Sequence, residues 1–134
     1  FTGLRIGFSL IKGLIFDRDI PVILVPTLHS LEENCLDIDD HFIVLYSHSN
    51  MVYAQRFKNC KAVSEILYKP IDSIKHDKIY GYGLKNKVFS IDYINVVPSA
   101  KLVGLSAIKN YELWAENDIN KICPNYVSNL SIGP

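Results

Sequence analysis

FTGLRIGFSLIKGLIF, residues Phe1 to Phe16, is the stretch from which the rest of the chain is interpreted. Its apolar residues recur at spacings of three and four, the period of an α-helix with one continuous apolar face. That face consists of Leu4, Phe8, Ile11, Leu14 and Ile15. Thr2 is the nearest residue able to cap its N-terminus. We therefore predict a helix over residues 1–16.

Two glycines one turn apart, Gly3 and Gly7, lie inside this predicted helix. Each costs about 1 kcal/mol relative to alanine in a helix interior. A second helix, packed so closely that a Cβ atom would clash, can offset that cost. Arg5 and Lys12 lie near the edges of the face, where they can reach the carboxylates of such a partner. The pattern alone also fits an ordinary core helix with incidental glycines.

The composition describes a neutral chain with enough apolar residues for a core. Of its 134 residues 49% are apolar, and Lys plus Arg balance Asp plus Glu at 14 each. A neutral chain is a poor nucleic-acid binder on its own, because phosphate affinity comes from clustered basic residues. No apolar run reaches the roughly 18 residues of a membrane span. Cys35, Cys60 and Cys123 form no C-x-x-C pair, so we expect reduced thiols with packing roles.

Strands and helices alternate after the first helix. Residues 20–25 form a short apolar run typical of a buried strand. A helix over residues 28–35 follows, with Thr27 as its cap and with Glu32 and Glu33 on its solvent side.

A composition change then separates two regions of the chain. Residues 36–40 are acidic and without an apolar period, so we interpret them as a linker. Residues 41–47 and 51–57 are two β-type runs that predict a hairpin, and Asn50 suits the left-handed position of its loop.

The remaining residues continue the α/β alternation. Gly81-Tyr82-Gly83 is a weak phosphate-binding signal, and we interpret it as a tight strand-to-helix turn. Together these elements predict an α/β protein with a mixed sheet. We expect an irregular or edge strand over 58–69, a short helix over 70–74, strands over 78–82 and 94–97, and the longest helix from Ser99 to Glu116 with Trp114 covering its end.

The stretch F-T-G-L-R-I-G, followed by K-G-L and by Ile20-Pro21-Val22, resembles the signature of the TsaB family, the YeaZ-type subunits of the bacterial complex that makes threonylcarbamoyladenosine on tRNA. Weaker matches follow in family order: Val25-Pro26-Thr27-Leu28, Val52-Tyr53, the Gly81-x-Gly83 pair, and Pro124-Asn125-Tyr126-Val127. The polar residues of the family's hairpin are replaced here by Tyr46, His48, Asn50 and Met51, so whatever they do in the family is in doubt in this chain.

The resemblance implies an actin-like ATPase, RNase-H-like fold. In these terms residues 1–38 are the remaining part of an N-terminal subdomain, and residues 39–134 are a second RNase-H-like subdomain. The family has a Gly-Pro-Gly-Ser run immediately before its Phe-Thr-Gly, and this chain starts at Phe1. We therefore expect the sequence to be a fragment whose first helix has an uncovered inner face.

The resemblance also implies a partner role without catalysis. The family pairs with the catalytic subunit TsaD through a helical bundle, and the ATPase TsaE joins the pair. TsaD transfers the threonylcarbamoyl group to N6 of adenosine 37 in tRNA, so we expect tRNA to be reached only through the complex. A homodimer through the same surface is also possible by symmetry. The implied contact residues on the first helix are Thr2, Gly3, Arg5, Ile6, Gly7, Leu10, Lys12 and Leu14.

No catalytic, cofactor or metal residues are predicted. The four histidines, His29, His41, His48 and His76, form no H-E-x-x-H pair, and Ser9 is in no nucleophile elbow. Asp37, Asp39 and Asp40 could hold a hard cation, but a solvated acidic loop is the preferred interpretation. We expect a cytoplasmic accessory subunit, with two alternatives: an actin-like enzyme whose nucleotide site lies elsewhere, or a decayed copy.

Overall fold

A computed structural model describes residues 2–35, 39–84 and 91–127. Its helices are α1 (Thr2–Ile15), α2 (Thr27–Glu32), a 3-10 turn (Ile71–Ser73), α3 (Ala100–Lys109) and α4 (Tyr111–Trp114). Its strands are β1 (Val22–Ile23), β2 (Asp40–His48), β3 (Met51–Lys58), β4 (Lys61–Ala62), β5 (Leu67–Pro70), β6 (Ile79–Tyr82), β7 (Ile94–Asn95) and β8 (Ala115–Glu116).

The main sheet has six strands in the order β4-β3-β2-β6-β7, with β5 beside β3. β2 and β3 form an antiparallel hairpin, whereas β6 and β7 continue the sheet in the direction of β2. This mixed sheet, flanked by helices, is the predicted α/β class. A separate two-stranded sheet joins β1 to β8, so chain segments on both sides of the predicted boundary at residues 38 and 39 meet there.

The core has two halves because β2 and β3 are buried on both faces. One half lies under α2 and the other on the opposite face of the sheet. The first contains Leu28, Leu31, Ile43, Phe57, Tyr80 and Val96. The second contains Val44, Val52, Ala54, Ile71, Ile74, Ile79 and Leu84.

The helix over residues 1–16 and the hairpin are confirmed almost to the residue. The hairpin loop consists of Ser49 and Asn50, and Ser49 is the residue with a positive φ, of 53°. The prediction that Asn50 takes this position is wrong. Asparagine tolerates the left-handed region better than serine, so residue type alone favoured the wrong one of the two loop positions.

The first strand and second helix differ from prediction in extent and burial. β1 has two half-buried residues instead of a buried run over 20–25. Pro26, not Thr27, is at the N-cap of α2, where no side chain caps the helix, and α2 ends at Glu32 rather than at residue 35. Of the predicted linker, residues 36–38 lie outside the described residues, and Asp40 already belongs to β2.

The predicted helix from Ser99 to Glu116 is broken at Asn110. The amide Nδ2 of Asn110 donates to the backbone carbonyl of Ser106 at 2.9 Å, and its φ of −114° is not helical. The chain continues as the short α4 and then as β8, so α1 is longer than α3. The 3-10 turn and β6 agree with the short helix predicted over 70–74 and the strand predicted over 78–82. The strand-to-helix turn predicted after β6 continues into residues 85–90, which lie outside the described residues.

Among the described residues no helix is long and apolar enough to cross a membrane. All three cysteines are free thiols. Cys35 is half-buried, but Cys60 and Cys123 are exposed, so the packing role predicted for these two is wrong.

Candidate functional site

α1 is apolar around most of its circumference. Its polar residues Thr2, Arg5, Ser9 and Lys12 recur at spacings of three and four and form one narrow stripe. A helix with so little polar surface is normally buried. Yet α1 contains no buried residue.

Exposure differs between the two apolar sides of α1. Phe8 and Ile15 are half-buried, and they share a side with Leu4 and Ile11. Ile6, Leu10 and Leu14 are 63%, 61% and 60% exposed. The second side is therefore the free one.

Gly3 and Gly7 lie on this free side, with Leu10 and Leu14. A Cβ atom added at either glycine would meet no described atom within 4 Å. Packing within the described chain therefore does not account for two glycines in a helix interior. The absence of side chains leaves a shallow channel along the helix, flanked by exposed apolar residues, into which a second helix can pack closely.

Of the eight predicted contact residues, all but the half-buried Lys12 are exposed. Arg5 is exposed but has a partner: its Nε donates to the hydroxyl of Tyr126 at 3.1 Å, and its guanidinium carbon lies 5.8 Å from the centre of that ring. The hydrogen bond to Tyr126 raises the pKa of Arg5. The role of these eight residues in partner binding stays a prediction.

In a sheet of this topology, ligands bind at the carboxyl ends of the parallel strands. At the end of β2 the side chain of Tyr46 packs over Gly83, where an added Cβ atom would lie 3.1 Å from the Cβ of Tyr46. Gly83 has a φ of +82°, which requires glycine at this turn. Tyr46 thus fills the space above Gly83 at this edge of the sheet.

The histidines contact aromatic rings, and His29 and His41 lie against the same ring, that of Phe57. His41 is fully buried against Phe57 and Tyr80, and His48 bonds the hydroxyl of Tyr68 at 2.7 Å. Within the described ranges no group of three His, Cys, Asp or Glu side chains could hold a metal ion. His29 contacts Phe57 and Trp114, and His76 contacts Phe42 and Asp40.

The acidic segment is engaged in ion pairs in its described part. Asp40 accepts two hydrogen bonds from Arg56 and lies 3.4 Å from Nε2 of His76. The hydrogen bond from Arg56 lowers the pKa of Asp40 to about 2. Asp37 lies outside the described residues.

Two acids that the sequence pattern placed in solvent are buried instead. Glu32 is 8% exposed, and burial is the main cause of its raised pKa. The side chain of Glu33 is 7% exposed and pairs with Lys109 of α3. The expectation that both face solvent is wrong, because α3 packs beside the last turn of α2 and no local period of a six-residue helix could indicate that.

The outer side of α3 and α4 is a second exposed apolar region. Val103, Ile108 and Leu113 are 43%, 77% and 80% exposed. It has no glycine pair, and its single glycine, Gly104, would accept a Cβ atom without meeting a described atom within 4 Å.

Two solved structures from Pseudomonas aeruginosa resemble this chain. One, described as an uncharacterized protein with similarity to peptidase YeaZ, matches with a TM-score of 0.73 at 15% identity, over 96% of this chain and 68% of that chain. YeaZ matches with a TM-score of 0.70 at 17% identity, over 95% of this chain and 69% of that chain. No protein-family model and no curated protein matches the sequence.

Proposed function

Starting from a YeaZ-type fold, we propose that the chain is a non-catalytic, TsaB-type subunit. In this proposal it pairs with TsaD through the free side of α1, TsaE joins the pair, and the complex transfers the threonylcarbamoyl group to N6 of adenosine 37 in tRNA in the cytoplasm. The chain itself supplies a binding surface and no catalytic group.

The observation that carries the proposal is the unburied α1. Full burial of a Leu or Ile side chain contributes about 1.5–3 kcal/mol, and three such side chains on the free side are more than half exposed. Burying them against a second helix would offset the cost of Gly3 and Gly7. A partner-binding helix therefore accounts for both the exposure and the glycines.

The charge of the chain supports an indirect relation to tRNA. The formal net charge is zero, with 14 basic and 14 acidic residues. Because tRNA affinity depends on basic clusters, the proposal assigns tRNA binding to the other subunits.

Gly7→Leu tests the helix contact. A leucine at this position fills the channel left by the missing side chains of Gly3 and Gly7, and it keeps a partner helix at a distance. We expect the dissociation constant for purified TsaD to rise by about 100-fold or more, since the loss of close packing costs several kcal/mol. Isothermal titration measures it, and threonylcarbamoyl transfer to tRNA in the reconstituted system should fall in parallel.

Gly104→Leu is the matched control. It makes the same change in α3, also at an exposed helical glycine with no described atom within 4 Å. Both substitutions favour the helix by up to about 1 kcal/mol, so neither should unfold the chain. We expect Gly104→Leu to bind TsaD normally. Normal binding of TsaD by Gly7→Leu would refute α1 as the contact helix. If the unaltered chain does not support threonylcarbamoyl transfer to tRNA, the result favours an ATP-using enzyme or a decayed copy.

A further inference from the structure

The structure brings together two stretches from opposite ends of the chain. Arg5 belongs to the Phe1 to Phe16 stretch and Tyr126 to Pro124-Asn125-Tyr126-Val127, and 121 positions separate them. From this contact we infer that Tyr126 is a positioning residue, which fixes the rotation of α1 so that its free side faces a partner. The effect on partner binding rests on the proposed function, whereas the orientation of α1 by this contact does not.

α1 is held by few interactions with the rest of the described chain. None of its residues is buried, so packing alone constrains its rotation weakly. Its C-terminal end turns sharply at Asp17, which has a φ of 57°. Within the described part of the chain, the Arg5 side chain links α1 to a distant segment by a hydrogen bond.

The contact between Arg5 and Tyr126 is directional. The Nε donates to the Tyr126 hydroxyl at 3.1 Å, and the guanidinium carbon lies within the range of a cation–π contact at 5.8 Å from the ring centre. The hydroxyl and the ring thus hold the same guanidinium at two points. A two-point contact fixes the rotation of the helix better than a single bond of the same strength.

Arg5 lies on the opposite side of α1 from the glycines. At 3.6 residues per turn, the mean direction of Gly3, Gly7, Leu10 and Leu14 is about 170° from that of Arg5. Holding Arg5 against Tyr126 therefore turns the glycine side directly away from the C-terminal segment. Without the contact only a fraction of chains present that side, and the apparent affinity for a partner falls by that fraction.

The test measures the orientation of α1 without any partner. Spin labels are placed on Ser9→Cys in α1 and Lys61→Cys in β4. Cys35, Cys60 and Cys123 of this chain are replaced by serine, and the labelled chain is diluted with unlabelled chain. Double electron–electron resonance then gives the distance distribution. We expect one narrow distribution for the parent, a broad one for Tyr126→Ala, and an intermediate one for Tyr126→Phe, which keeps the ring and loses the hydroxyl.

Affinity for TsaD is measured on the same substitutions without labels. We expect Tyr126→Ala to weaken binding by about 3- to 10-fold. This is the loss expected if between a third and a tenth of the chains hold α1 in the orientation that binds. Tyr111→Ala in α4 is the control, because Tyr111 is exposed to a similar extent, 44% against 39% for Tyr126. It should change neither measurement.

The outcomes separate this inference from the proposed function. An unchanged distance distribution in Tyr126→Ala would overturn the positioning role, whatever the affinity for TsaD. A broadened distribution with unchanged affinity would overturn its consequence for binding. A broadened distribution in a chain that never binds TsaD would leave the contact established and refute the proposed partner.

Discussion

The carboxyl group of Glu32 ends α2 in a buried position, where it accepts a hydrogen bond from the thiol of Cys60. Burial, which penalises the charged form, outweighs this bond and raises the pKa of Glu32 above its ordinary value of 4.5. The pKa of the Cys60 thiol is raised as well, first by burial and then by the Glu32 charge. Glu32 thus favours the neutral thiol of Cys60, whereas the thiol, as a hydrogen-bond donor, favours the charged form of Glu32.

Glu32→Gln should stabilise the chain at neutral pH. Because the folded pKa lies above the unfolded one, the folded state binds more protons between the two values, and the free energy of unfolding falls as pH rises through this window. Glutamine has no charge to bury and keeps an oxygen that accepts from Cys60. We expect Glu32→Gln to be more stable than the parent at pH 7 and similar to it at pH 4, as measured by urea unfolding.

The neighbouring Glu33 is the control for this substitution. Its side chain is equally buried but pairs with Nζ of Lys109 at 2.5 Å. Glu33→Gln removes that ion pair, so we expect no gain at pH 7 and a loss of up to about 1 kcal/mol. Equal effects of the two substitutions would contradict the assignment of an unpaired buried charge to Glu32.

At the scale of single elements, α3 depends on one cap. Ser99 has extended backbone angles, and its Oγ accepts a hydrogen bond from the backbone N–H of Leu102 at 3.3 Å. Ser99→Ala leaves this N–H without its cap, and we expect the free energy of unfolding to fall by about 1 kcal/mol. Ser99→Asp restores an acceptor and should be close to the parent. Thermal unfolding compares the two, and equal losses would show that the cap contributes nothing.

How far each element could be predicted depends on where its determinants lie. The period of α1 and the two β-type runs of the hairpin are local, and both were located within about two residues. The residue that determines the start of α3, Ser99, is also local, but the determinants of its C-terminal end are not. Asn110 ends the helix with a hydrogen bond to Ser106, and residues 115 and 116 pair with β1, more than 90 positions away.

The candidate site divides in the same way. The glycine pair and the helical period of α1 were readable in the sequence, but the apolar face predicted from that period, Leu4, Phe8, Ile11, Leu14 and Ile15, includes the half-buried side. The exposed Ile6 and Leu10 were named only through the family resemblance. The contact between Arg5 and Tyr126 was not readable, because nothing in either stretch specifies the other. Burial of Glu32 depends likewise on α3, which lies far along the chain.

At the scale of the whole molecule, large apolar side chains are exposed on α1 and on the outer side of α3 and α4. A standard interface buries roughly 800 Å² on each partner, and apolar side chains form its core.

An isolated chain should therefore self-associate through its apolar faces, and TsaD should suppress this by covering α1. Leu10→Glu places a charge on the free side of α1, and we expect it to lower the weight-average mass in sedimentation velocity toward that of a 15.2 kDa monomer. Ile108→Glu makes the same kind of change on α3, where the side chain is 77% exposed. If Ile108→Glu disperses the chain and Leu10→Glu does not, the principal contact surface is the outer side of α3, and the role proposed for α1 loses its support.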